Sequence, residues 1–161
     1  LADGTLAFID FGLMKTISAE AIDNELRALR ALHEGDAARL VVEMRTGGIE
    51  LRDDRIAPEE VLEALMISQG WYLTDEDPQL TPDLANLIAG RATDPNGAVV
   101  RVFQEETLPE AHMVQRRVEV LVLATLGQLR PQVNFFQIAR EWIYGEQPVT
   151  ELGRAAAAWA R

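Results

Sequence analysis

A mainly α fold, a helical body behind one short N-terminal strand, is what this sequence predicts. Three observations carry that expectation. Apolar residues recur at helical spacing through most of the chain, and cap and stop residues bracket each such stretch. Only Thr5 to Ile9, behind an Asp3-Gly4 turn signal, reads as a strand.

Taken in order, Ser18 is placed to cap a helix running to about His33, with Ile22, Leu26 and Leu29 on one face and Gly35 as its stop. Asp36 starts a shorter helix carrying Leu40, Val41 and Met44, which Gly47-Gly48 ends. Pro58 suits a first helical turn and opens a helix through Val61, Leu65 and Met66 to Trp71 and Tyr72. Thr74 to Pro78 is a linker, Thr81-Pro82-Asp83 opens the next helix, and Asp94-Pro95 opens a short one that ends near Glu106. From Pro109 to Leu129 the apolar positions keep a period near 3.6, so this is expected to be the central buried helix, with the core around Val118, Leu121, Leu126 and Phe136. Asn134 caps the following helix, which Gly145 ends, and Thr150 caps a last one that has little but alanine to bury.

Composition narrows the function. With 161 residues the chain is long enough for one domain with its own core. It carries 26 Asp+Glu against 15 Lys+Arg, a formal charge of −11, and this surface would repel a phosphate backbone, so nucleic acid is not expected as partner. The absence of cysteine removes disulfides, iron–sulfur ligation and thiol catalysis. The most apolar run, Val118 to Leu126, is interrupted by Glu119 and is too short to cross a bilayer, so no transmembrane segment is expected. Arg far outnumbers Lys15, the sole lysine, and with abundant Ala this suggests a GC-rich bacterial genome. A start on Leu1 without Met is expected of a piece of a longer chain.

The informative segment runs into Asp10-Phe11-Gly12, which puts a carboxylate at the end of an apolar strand and a turn residue after it. A carboxylate so placed is a hard ligand for Mg²⁺, which needs few protein ligands when phosphates and waters complete its shell. On pattern alone, an Asp that only caps a turn, with Phe11 as core, is equally open.

The longer run Asp3-Gly4-Thr5-Leu6-Ala7-Phe8-Ile9-Asp10-Phe11-Gly12-Leu13-Met14-Lys15 resembles the metal-binding loop of the AarF/UbiB family of atypical kinase-like proteins. Downstream stretches such as Trp71-Tyr72-Leu73-Thr74-Asp75-Glu76 and Arg140-Glu141-Trp142-Ile143-Tyr144-Gly145 resemble its bacterial members. The resemblance implies the helical C-lobe portion of a protein-kinase-like fold, 1–161, with the strand and metal loop at 1–17 and a helical subdomain at 18–161. Asp10 would bind Mg²⁺ bridging the phosphates of ATP, with Phe11 and Gly12 as its structural companions. The family is linked to isoprenoid-quinone biosynthesis and lipid homeostasis, with a lipid or protein as substrate and a cytoplasmic place, peripheral to the membrane. Its nucleotide loop, strand lysine and catalytic Asp and Asn would lie before Leu1, in the upstream part of the same domain. Lys15, five residues past Asp10, cannot replace that lysine.

Two other functions compete. One is a non-catalytic helical interaction module whose Asp-Phe-Gly loop is a relic. The other is an aminoglycoside-phosphotransferase-like kinase, disfavoured because Leu13-Met14-Lys15-Thr16 follows where Gly-Asp-Pro would be usual. Asp75, Glu76 and Asp77 lack the spacing and glycine of an EF-hand loop and read as a solvated linker. His33 and His112 have no ligand-spaced neighbours and are expected in surface or capping roles. Trp71, Tyr72, Phe135, Phe136 and Trp142 could form an apolar groove for a lipid, although at helical spacing core is the stronger expectation.

Overall fold

The computed structural model describes residues 16–75 and 80–159. The expected strand from Thr5 to Ile9 and the loop Asp10-Phe11-Gly12 lie outside them. Among the described residues the chain is mainly helical, with eight α-helices and one two-stranded ladder.

The local signals work as the sequence predicts. Ser18 Oγ accepts from Ala21 N at 3.1 Å to start α1 (Ala19–Glu34), which stops at Gly35 in the left-handed conformation, φ +72°. That φ suits glycine because a Cβ would clash there. Asp36 caps α2 (Ala37–Thr46) through Arg39 N at 3.0 Å, and Pro58 opens α3 (Pro58–Gln69), which tightens into a 3₁₀ turn at Gly70–Tyr72. Thr81 caps α4 (Pro82–Thr93). Then come α5 (Ala98–Glu105), α6 (Glu110–Leu129), α7 (Phe135–Ile143) capped by Asn134, and α8 (Glu151–Trp159). The start of α5 falls later than expected, since Asp94 closes a turn onto Gly97 N and leaves Gly97 as the cap.

The main core draws chiefly on α1, α2, α3 and α5. Ala31, Leu32, Leu40, Val61, Ala64, Val99 and Val102 bury together where α1, α2, α3 and α5 meet. Polar groups fix the same junction: Asn24 Nδ2 donates to the Glu43 carbonyl at 3.0 Å, and Arg27 Nε donates to Glu43 Oε2 at 2.9 Å. Arg30 Nε reaches the Ile143 carbonyl at 2.7 Å and ties α7 to α1. A smaller cluster of Leu80, Ala85, Ile88 and Leu123 joins α4 to α6. The short ladder, β1 (Glu50–Leu51) antiparallel to β2 (Glu106–Thr107), pins the loop after α2 to the turn before α6 and was not anticipated.

The expected role of α6 needs correction. Val118 is 52% and Leu121 56% exposed, Leu126 and Phe136 are half-buried, and only Leu123 of the apolar stripe is in the core. The reason is geometric. Apolar residues surround α6 on more than one side, but the helix packs chiefly on α4, so one flank is used and the others are not. Contact with α4 is close because both sides are small: a Cβ at Gly127 would lie 2.8 Å from Ala85 Cβ. Ile22 is likewise exposed, leaving Leu26 and Leu29 to carry the apolar face of α1.

Leu40, 1% exposed, should cost about 2–5 kcal/mol when replaced by Ala, whereas Leu121→Ala should stay within about 0.5 kcal/mol by urea unfolding. The helical glycines of α4 and α6, Gly90 and Gly127, should diverge in the same assay. Gly90→Ala, with nothing within 4 Å of the new methyl, should gain about 0.5–1 kcal/mol. Gly127→Ala should lose stability, because overpacking of about 1–3 kcal/mol exceeds that gain.

Candidate functional site

Because α6 is seated on one side only, the space beside it is not filled. A cavity of about 600 Å³ lies there, lined by α1, α3, α4, α6 and α7 and walled mostly by apolar side chains. Its titratable groups are Glu25 from α1, Tyr72 from the 3₁₀ turn, and His112, Arg116 and Glu119 from α6, with Gln69 at the end of α3 beside Glu119.

These groups are positioned by local packing. Trp71 stands edge-on to both Tyr72 and Phe135, with ring centroids 4.9 and 5.2 Å apart, which holds the 3₁₀ turn against α7. Gln69 Nε2 lies 3.5 Å from Glu119 Oε2, the outer limit for a hydrogen bond. His112 Nε2 lies 3.3 Å from the Gly47 carbonyl, which can only accept, so Nε2 carries the hydrogen. Its Nδ1 then faces Glu25 Oε2 at 4.0 Å.

The electrostatics are unfavourable for Glu119. Burial, and secondarily the charge of Glu25, push the Glu119 carboxyl above the ordinary carboxylate range. Burial also raises the Tyr72 hydroxyl strongly, with the charges of Glu119 and Glu25 adding to it. The guanidinium nearest to hand is already engaged: Arg116 pairs with the fully buried side chain of Glu106 and stacks 3.9 Å over the Phe103 ring. Glu106 is itself raised, by burial first, with Arg116 and His112 opposing, and its Oε1 has no hydrogen-bond partner. The region therefore holds two carboxylates, neither in direct contact with a guanidinium of the described residues: Arg116 opposes the rise of Glu119 only from a distance, and Glu25 faces His112.

The residues picked from sequence fall elsewhere. Asp10, Phe11 and Gly12 lie outside the described residues, as do Glu76 and Asp77. Asp75 is exposed and accepts from Asn134 Nδ2 at 3.4 Å. No group of three His, Cys, Asp or Glu is arranged to hold a metal among the described residues. His33 is half-buried and pairs with the Tyr144 hydroxyl at 2.7 Å, tying α1 to the end of α7, while His112 takes up the carbonyl that ends α2. Trp71 and Phe135 pack on the smaller cluster as a core role requires, yet both also line the cavity, and Trp142 is 73% exposed. The expectation that these aromatics are simply core therefore needs correction. Sequence reasoning missed Glu119 as a site residue; its signal was its place as the one charged residue between Arg117 and Arg130.

No family model, curated protein or solved structure matches the chain. No helix among the described residues is long and apolar enough to cross a membrane.

The raised Glu119 carboxyl has a pH signature. Below the ordinary value of 4.5 it is neutral in folded and unfolded chains alike and costs nothing. As pH climbs from 4.5 through the raised folded value, the unfolded state ionises first and stability falls. Glu119→Gln should therefore match the parent protein at pH 4 and exceed it at pH 7 in urea unfolding, and equal stability at both pH values would show that Glu119 is not penalised by burial.

Proposed function

We propose that this chain is the C-terminal portion of an AarF/UbiB-like atypical kinase or ATPase and supplies the Mg²⁺-binding Asp10 of an ATP phosphoryl-transfer site. One observation carries the proposal: the run from Asp3 to Lys15, with Asp10-Phe11-Gly12 at its end, stands directly before a mainly helical body, the order of a kinase-like C-lobe. Supporting this order, α1 begins at Ala19, only seven residues after Gly12.

In that assignment Mg²⁺ supplies charge neutralisation at the transferred phosphoryl group. The hard-oxygen chemistry of Asp10 suits it, and nucleotide phosphates and waters would complete the shell. The described residues add no metal-ligating cluster, and in this assignment Asp10 is the ligand the chain supplies. Lys15 and the arginines offer no strand lysine, and the nucleotide clamp is assigned to sequence before Leu1. An intact His-Ala-Asp or Asp-Pro-His-Pro-Gly-Asn segment there would support the proposal, and its absence from the parent would overturn it.

A non-catalytic interaction module is favoured by a different observation, the exposed apolar flank of α6 at Met113, Val118, Val120 and Leu121. Catalysis separates the two. Residues 1–161 alone are expected to show no ATP turnover. In the parent protein, Asp10→Asn should abolish turnover and weaken Mg²⁺-dependent nucleotide binding while leaving the helical circular dichroism unchanged, since the swap removes charge and little shape. Nucleotide affinity with and without Mg²⁺ is the measurement; an unchanged Mg²⁺ dependence would remove Asp10 from the site.

A further inference from the structure

The cavity beside α6 combines two features that are costly apart and complementary to a single kind of ligand. Its volume of about 600 Å³ is within the usual range for small-molecule sites, and its walls are predominantly apolar. At its polar region Glu25 and Glu119 are close enough to repel one another, and neither is in salt-bridge contact with a guanidinium of the described residues: Arg116 acts on Glu119 only from a distance, and Glu25 faces His112 Nδ1 at 4.0 Å. Arg116, the lining residue that could serve, is held by Glu106, and His112 spends its Nε2–H on Gly47. Tyr72 adds an independent sign of an absent partner. Its side chain is half-buried in the cavity lining, edge-on to Trp71, and its hydroxyl has no hydrogen bond to any described residue.

We propose that this cavity binds an elongated apolar molecule ending in a protonated amine, the ammonium seated among Glu25, Glu119 and Tyr72 and the apolar body running along α6 toward Phe135 and Trp142. An ammonium brings three N–H donors and a positive charge to groups that can only gain from them. Buried carboxylates are costly unless paired, so the gain is largest where water is excluded. A carboxylate-headed chain would meet the same two acids as a third negative charge. A neutral alcohol would fill the walls but leave the acids as they are. The proposal is independent of any role for Asp10 and concerns a separate part of the fold.

The test uses the full 161-residue chain at pH 7 with decylamine, decanol and decanoate, each kept below its aggregation threshold. Trp71 and Trp142 line the cavity, so tryptophan fluorescence reports occupancy and calorimetry gives stoichiometry. Decylamine should bind saturably, one per chain, about tenfold or more tighter than decanol, with decanoate weaker than either. Glu119→Gln and Glu25→Gln should each reduce that preference for the amine about tenfold while leaving decanol affinity nearly unchanged. Indistinguishable binding of the three ligands, binding of several amines per chain, or no saturable binding would overturn the proposal. So would an amine preference that survives both substitutions. Should a variant fail to fold, the comparison of three head groups on the unaltered protein decides the matter.

Discussion

Helix α6 is anchored at two points, and the open space beside it follows from how those anchors work. Near its start, Arg116 reaches back to the buried Glu106 on β2; near its end, Gly127 meets Ala85 with almost no side chain between. Between them the helix leans on α4 through Leu123 and leaves Val118, Val120 and Leu121 unburied. An ion pair out of water is weak support for stability, since desolvating both groups consumes most of their attraction. Its contribution here is to fix position. The guanidinium has one buried carboxylate to reach, which sets the rotation of α6 and turns Glu119 and His112 toward α1 and α3.

That rotation explains why the same few residues dominate the electrostatics. Arg116 is bonded to Glu106 and offsets Glu119 only in part, through space. Glu119 then carries the penalty of burial together with repulsion from Glu25, and Tyr72 experiences both. The short β1–β2 pairing contributes by holding Glu106 in place, because Leu51 pairs with Glu106 across the ladder. Two residues of strand are too few to be stable alone, so this ladder depends on the helices around it as much as it positions them.

What was legible in the sequence is what is settled by neighbours in the chain. Ser18, Asp36, Thr81 and Asn134 cap helices because each side chain bonds an amide three residues on, and Gly35 stops one because its φ is positive. Such contacts are written in consecutive residues. Burial of α6 was not, because a stripe of apolar residues shows that a helix can be buried without naming the surface that covers it. The pairing of Glu50 with Thr107 links segments far apart in the chain and has no local signal strong enough to find it. The candidate site divides in the same way. Glu119 stood out as a charge in an apolar run, whereas Glu25 and Gln69 look like ordinary surface residues of amphipathic helices until the fold brings them to the cavity.

Glu119 therefore sits where stability alone would not put it. An apolar side chain of similar size at position 119 would bury against the cavity wall without desolvating a charge, and in this fold it would be the more stable choice. Local rules broken at one point of an otherwise consistent structure are where function is to be sought. Ser18, Asp36, Thr81 and Asn134 cap their helices and the main core cluster is apolar, while Glu119 and the unanswered Tyr72 hydroxyl share one cavity, and the buried Glu106, with its unbonded Oε1, holds the Arg116 that lines it. A cavity that were only a packing defect would be expected to be apolar throughout, since a void gains nothing from carboxylates. The concentration of charge at one region of an apolar space is the arrangement that a molecule with one polar end requires.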